Sequence, residues 1–179
     1  MMLAAAADGR APTGPARPPC ALVTTPLFHV SGLYTGAIVM LASGAKTVWR
    51  SGRFDPVDVM RLIERERVTS WGPMGTMVHR VVHHPDVAKY DLSSVASIGS
   101  GGAPMSPELQ QKIRAVFTTA QASLGLGYGL TECTALATIA FGEDLARHPT
   151  TAGRPLPTVQ LEIRGADGRA LAEGETGEI

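Results

Sequence analysis

Short β-rich runs alternate with one-faced helical stretches along most of this chain, and that alternation limits the fold more than any single motif does. Residues 21–27 (ALVTTPL) are β-rich, and residues 32–42 are apolar nearly all round, which predicts a buried helix. Residues 46–49 read as a short strand after the Ser43-Gly44 turn. Asp55 and Pro56 suit the N-cap and first position of a helix whose apolar face carries Val59, Met60 and Ile63. Residues 68–71 give the next strand, and Pro73 starts a helix running to about His83. Residues 95–98 form a strand entering the loop GSGGAP (99–104). Ser106-Pro107-Glu108 opens another helix, with Leu109, Ile113, Val116 and Phe117 spaced i, i+4, i+7 and i+8. Residues 122–126 are a strand leading into GLGYGLTE (125–132).

Strands alternating with amphipathic helices predict an α/β domain around a largely parallel sheet. Beyond Gly153 the texture changes. Residues 158–164, the Asp167-Gly168 turn and residues 175–179 read as hairpin material, so the C-terminal end is expected to be β-rich. The expected division is a loop or linker remnant over 1–20, an α/β core over 21–152, and the truncated start of a β-rich subdomain over 153–179.

A chain of 179 residues can bury a real core, and 44% hydrophobic with 18% charged residues is ordinary for a globular protein. Lys plus Arg equals Asp plus Glu, so no basic surface points to a nucleic-acid partner. No run of 18 apolar residues predicts a membrane span. Cys20 and Cys133 lie far apart without metal-type spacing, and a thiol-reducing, cytoplasmic setting is expected.

In parallel sheets ligands collect beyond the carboxyl ends of the strands. Both glycine-rich loops, at Gly99 and at Gly125, follow strands. In the second, Tyr128 is a flat ring between glycines, Thr131 can donate to a phosphate oxygen, and Glu132 is a hard oxygen ligand of the kind Mg²⁺ takes beside phosphates. Two readings stand: a nucleotide-and-metal site, or a glycine-rich turn with Tyr128 simply packed. The strand-end position favours the first. A dinucleotide fingerprint is excluded, because its third glycine would fall at Leu130. Residues 43–47 lack the glycines of a P-loop, and Ile98 stands where a nucleophile elbow would need glycine before Ser100. His79, His83 and His84 read as partners of a helix C-terminus rather than as metal ligands. His29 ends a strand-like run, where either a site residue or a half-buried histidine is reasonable.

Four segments occur in the order seen in one family: PLFHVSG (26–32), GSGGAPMSPEL (99–109), GYGLTE (127–132) and GRPLP (153–157). Together they resemble the adenylate-forming enzymes, which include acyl-CoA synthetases, firefly luciferase and peptide-synthetase adenylation domains. The resemblance runs from about Ala21 to the end of the chain. It implies activation of a carboxylic acid, with a fatty acid favoured, by MgATP to an acyl-adenylate, followed by transfer to coenzyme A. By the same resemblance Gly101, Gly102, Ala103 and Pro104 line one face of the adenine, while Tyr128 and Gly129 border the other. Thr131 binds the α-phosphate, Glu132 holds Mg²⁺, and His29 stands beside the acyl site with Trp71, Gly72 and Met74 near the acyl pocket.

The family's Ser/Thr/Gly-rich phosphate loop, ribose-binding Asp and catalytic lysine have no counterpart in this sequence. The chain therefore reads as the middle of the large N-terminal domain, a fragment whose partners are the remaining parts of the parent enzyme. On its own it is expected not to turn over. Three alternatives remain: a segment that loads a carrier protein, a non-catalytic nucleotide-binding module, and a truncated pseudo-enzyme that does not fold stably.

Overall fold

The computed structural model describes residues 18–179. The expected linker over 1–20 lies outside the described residues up to position 17, and Cys20 already opens the first strand. Among the described residues seven strands form one sheet: β1 (Cys20–Val23), β2 (Lys46–Trp49), β3 (Ser70–Trp71), β4 (Ser97–Gly101), β5 (Leu124–Tyr128), β6 (Thr138–Phe141) and β7 (Arg154–Pro155). Their spatial order is β2-β1-β3-β4-β5-β6-β7. From β2 to β5 every neighbouring pair is parallel, while β5–β6 and β6–β7 are antiparallel. The largely parallel α/β sheet expected from the sequence is what forms.

Among the described residues five α-helices accompany the sheet: α1 (Val39–Ala42), α2 (Pro56–Glu66), α3 (Gly75–Val82), α4 (Pro107–Val116) and α5 (Gly142–Arg147). A π-helical segment, Ser31–Ile38, runs directly into α1. α2 starts where the sequence predicts: the Asp55 carboxylate accepts the Val57 N–H at 2.8 Å, and Pro56 takes the first position. It ends at Arg67 in the left-handed conformation, φ 53°. α4 is capped by Ser106, whose hydroxyl accepts the Leu109 N–H at 3.3 Å.

The core lies between the sheet and α2, α3 and α4. Met60 and Ile63 of α2, Val78 and Val81 of α3, and Ile113 of α4 are fully buried against Trp71, Ile98 and Leu124 of the sheet. Trp71 and Phe117 meet at a ring separation of 6.2 Å, tilted 55°. The indole N–H of Trp71 donates to the Thr24 hydroxyl at 3.2 Å, so this buried ring is polar-satisfied. On α4 the expected stripe holds with one polar member. Gln110 is buried, and its amide donates to the Met105 and Pro149 carbonyls, tying the helix to the segment after α5.

The expectation of a buried helix over 32–42 is corrected. A helix forms there, but only Gly32 and Gly36 of its first segment are buried. Leu33, Tyr34, Ile38, Val39 and Leu41 are exposed, the last at 72%. All-round apolar character calls for cover on every side, and among the described residues only the β1 side is covered. Gly36 makes that contact possible, since a Cβ there would lie 2.7 Å from Val23 Cγ1.

Four strands shift from their expected ranges: β1 stops at Val23 rather than Leu27, β3 starts at Ser70 rather than Val68, and β4 reaches Gly101 and β5 reaches Tyr128, so glycines read as loop belong to the ladder. β6 and α5 carry no sequence-based expectation. The C-terminal hairpin material forms isolated bridges rather than strands, pairing Arg164 with both Ala170 and Glu178.

Ile63 has no exposed surface, so Ile63→Ala is expected to cost about 2–5 kcal/mol in chemical denaturation, without change of fold by circular dichroism. Asp91 accepts from the Ser93 hydroxyl and backbone N–H and pairs with Arg67, and these donors lower its pKa from 3.8 to about 2. A carboxylate with a lowered folded-state pKa stabilises above its unfolded value and loses that contribution as the pH falls through the folded one. Asp91→Asn is therefore expected to melt lower than the unsubstituted chain at pH 7, the gap closing between about pH 4 and pH 2 in thermal melts.

Candidate functional site

The parallel run from β2 to β5 sends the segments after β1, β3, β4 and β5 to one edge of the sheet. Those segments carry His29, then Gly72 to Met74, then Gly102 to Pro104, and finally Gly129 to Glu132. The two glycine-rich stretches end up side by side. β4 and β5 pair with Gly99 opposite Gly125, Ser100 opposite Leu126 and Gly101 opposite Gly127.

Small side chains are required there. A Cβ on Gly101 would lie 2.7 Å from the Gly127 carbonyl oxygen, and one on Gly127 would strike Leu136. Gly102 has φ +76°, and a Cβ there would meet Met74 Cε at 2.8 Å. A bridge between Met74 and Gly101 extends the ladder past β3. Behind this edge the buried Ser100 hydroxyl donates to the Pro73 carbonyl at 2.9 Å, fixing the β3 and β4 ends against each other. Gly102, Ala103 and Pro104 are exposed, so their backbone is open to a ligand.

After β5 the chain turns sharply. Tyr128 and Gly129 are half-buried, while Leu130, Thr131 and Glu132 are exposed. Thr131–Cys133 forms one 3₁₀ turn. The Cys133 thiol donates to the Leu130 carbonyl at 3.2 Å and accepts the Leu130 N–H at 3.4 Å, closing that turn on itself. Thr134 and Ala135 follow with φ 60° and 90°, both in the left-handed region. Such backbone costs about 1–3 kcal/mol per residue unless its surroundings enforce it. Here the enforcement is antiparallel: the Ala137 N–H donates to the Tyr128 carbonyl at 2.9 Å, and β6 then pairs along β5. A Cβ on Gly129 would overlap the Ala135 carbonyl, so this reversal needs that glycine. Neither the hairpin nor the roles of Cys133, Ala135 and Leu136 carried a signal in the sequence, because each depends on β6 folding back.

Among the described residues, the Glu132 carboxylate and the Thr131 hydroxyl make no hydrogen bond or ion pair. Two adjacent polar side chains at a strand end, both uncommitted, suit a phosphate oxygen and the cation that accompanies it. Among the described residues no group of three or more His, Cys, Asp or Glu could hold a metal by itself. Glu132 fits a hard cation that takes its remaining ligands from substrate phosphates and water, as Mg²⁺ does.

His29 stands apart from this cluster. β1 is separated from β4 by β3 and from β5 by two strands, which is about 14 Å at the usual strand spacing. Its Nδ1 accepts the Ser31 N–H at 3.2 Å and lies 2.7 Å from the Ser31 hydroxyl, so in the neutral ring the proton is on Nε2. The preceding Phe28 is 93% exposed. Trp71, by contrast, is fully buried core, and only Gly72 and Met74 after it reach the ligand-facing edge.

Both cysteines are free thiols, and no helix among the described residues is long and apolar enough to cross a membrane.

The family model described as AMP-binding enzyme matches residues 2–179. The 4-coumarate--CoA ligase-like 6 of Oryza sativa subsp. japonica is 36% identical over 160 residues, which is 88% of this chain and 26% of that protein. Feruloyl-CoA synthase of an Amycolatopsis species is 31% identical over 159 residues, 89% of this chain and 31% of that protein. Among solved structures, the amide bond synthetase McbA from Marinactinospora thermotolerans superposes with TM-score 0.74 at 31% identity, covering 90% of this chain and 32% of that one. The N-terminal domain of FACL13 from Mycobacterium tuberculosis, bound to an inhibitor, gives 0.76 at 29% identity, covering 90% and 39%. The chain thus spans about a quarter to a third of the length of the curated relatives it matches. With the family model covering nearly the whole sequence and the two glycine-rich strand ends adjoining, this chain belongs to the AMP-binding, adenylate-forming enzyme family.

Proposed function

We propose that this chain forms the adenine, α-phosphate and metal side of the nucleotide site of an ATP-dependent CoA ligase acting on an aromatic carboxylic acid. The observation that carries this reading is the pairing of Gly101 with Gly127 at adjoining strand ends, which brings GSGGAP and GYGLTE to one edge. Gly101, Gly102, Ala103 and Pro104 then offer a flat backbone surface to one face of the adenine. Tyr128 covers the other face, with Gly129 leaving room beside it. The Thr131 hydroxyl donates to the α-phosphate. Glu132 holds Mg²⁺, which supplies screening of phosphate charge against an incoming carboxylate. His29, with its proton on Nε2, faces the acid side of the site, beside Gly72 and Met74. Transfer to coenzyme A completes the reaction, and unpaired Cys20 and Cys133 are consistent with the reducing cytoplasm where such thiol chemistry operates.

The sequence favoured a fatty acid. The named activities of the relatives, ligases for 4-coumarate and synthases for feruloyl-CoA, support an aromatic acid instead. Those same names support coenzyme A rather than a carrier protein as the acceptor. None of the residues assigned here meets the β- and γ-phosphates, so chain 1–179 is expected to bind nucleotide without turning it over. Pyrophosphate exchange by the purified chain would contradict that.

Two binding experiments test the reading. In titrations with AMP, Tyr128→Ala is expected to weaken binding roughly 5- to 150-fold, equivalent to about 1–3 kcal/mol of base stacking, while Tyr128→Phe stays close to the parent. Equal binding by Tyr128→Ala would remove the ring from the site. For the acid, non-hydrolysable sulfamate analogues of 4-coumaroyl-adenylate and palmitoyl-adenylate are compared by calorimetry. The aromatic analogue is expected to bind more tightly than AMP and than the palmitoyl analogue, and the reverse order would restore the fatty acid.

A further inference from the structure

His79 in the last turn of α3 and His83 at its C-cap lie one turn apart, and their geometry goes beyond the sequence reading of both as partners of the helix end. His79 and His83 are both exposed, on the rim of a groove of about 530 Å³ that also includes His84, Asp55 and Arg80. The two rings stack, with centroids 4.2 Å apart and planes at 30°. Residues four apart on a helix share a face, so this pairing follows from the sequence spacing.

The tautomers separate the three histidines. His83 Nδ1 lies 2.9 Å from the carbonyl oxygen of His79. A carbonyl only accepts, so Nδ1 carries the proton and Nε2 of the neutral ring holds a free lone pair. An imidazole that donates one nitrogen to a backbone carbonyl and keeps the other bare is how metal-bound histidines are oriented. His79 has neither ring nitrogen in a hydrogen bond among the described residues. His84 is the opposite case: its Nδ1 accepts the Asp86 N–H at 3.2 Å, which puts the proton on Nε2.

The local charge also suits a cation. His79 lies in the last turn of α3 and His83 caps it, at the negative end of the helix dipole. Arg80, the nearby positive group, is drawn off toward Phe54, stacking 5.1 Å from that ring's centroid and donating to its carbonyl. Asp55 stays ionised, its pKa lowered chiefly by the Val57 N–H, and so offsets the guanidinium charge.

We propose that the His79 ring, which no hydrogen bond holds, turns out of the stack so that its free nitrogen and His83 Nε2 converge as a two-imidazole chelate for a divalent transition-metal ion of the Cu²⁺, Ni²⁺ or Zn²⁺ class, with water in the remaining positions. Imidazole nitrogens suit these ions, with Cu²⁺ held most tightly. No third protein ligand among the described residues completes the set, so the site is an exchangeable surface chelate, not a structural metal centre. It is independent of the nucleotide site, being built on the helix layer rather than on the strand ends.

The test uses the untagged chain, stripped with EDTA and titrated with NiCl₂ and CuCl₂ at pH 7.5 by calorimetry. One equivalent is expected to bind. His79→Gln and His83→Gln are each expected to weaken it about tenfold or more, and His84→Gln to leave it unchanged. A Cu²⁺ electron paramagnetic resonance spectrum of the unsubstituted chain, which needs no variant, should show two nitrogen ligands. Absence of binding, a spectrum without imidazole nitrogens, or full binding retained in the doubly substituted H79Q/H83Q chain overturns the proposal. So does a loss in His84→Gln equal to that in His83→Gln.

Discussion

The close approach of β4 and β5 at Gly101 and Gly127 is the constraint on which the rest of the ligand-facing edge depends. With a Cβ at Gly101 only 2.7 Å from the Gly127 oxygen, the ladder could not continue to Gly101 with any larger residue. Because it does continue, the segments after β4 and β5 leave the sheet from adjoining strand ends. Ser100 fixes β3 to the same edge from below through the Pro73 carbonyl. β6 fixes it from the other side, by pairing antiparallel with β5 from Gly125 to Tyr128. The glycines thus serve two purposes at once: they permit the strand contact and they leave the exposed backbone flat.

The strained reversal after Glu132 follows from that arrangement. A parallel strand normally leads into a helix that crosses back over the sheet. Here β5 leads instead into a hairpin, which must turn within a few residues and does so through left-handed Thr134 and Ala135. The Cys133 thiol, bonded to both backbone groups of Leu130, holds the 3₁₀ turn that presents Thr131 and Glu132. Two polar side chains are kept outward by a backbone that has no other way to reverse. The opposite edge of the sheet follows a different logic, where the helix ending in α1 shows its apolar residues to solvent because only its β1 side is covered.

Much of the fold was legible from local chemistry. The caps at Asp55 and Ser106 and the apolar stripes through Met60, Ile63, Ile113 and Phe117 are short-range signals, and each appears where the sequence puts it. The strand ends were less legible. Glycine is a poor strand former in isolation, so Gly99 to Gly101 and Gly127 read as loop until each strand has its neighbour. The hairpin β5–β6 and the burial of Gln110 had no local signature, since both arise from long-range partners. Burial of the helix over 32–42 was misread for a related reason: composition states what a surface requires, whereas packing decides whether a neighbour supplies it.

For the candidate site, local sequence already supplies the residue types: small residues where strands must meet, a ring between glycines, and a hydroxyl and carboxylate together at a strand end. Those are properties of side-chain volume and donor chemistry, and they survive in any arrangement of the chain. It takes the folded chain to make the two glycine-rich stretches neighbours, to leave Thr131 and Glu132 without a partner among the described residues, and to put the strand that leads to His29 three places from β5. Adjacency between residues 101 and 127 is created by hydrogen bonding between strands. No local pattern encodes which strand lies beside which.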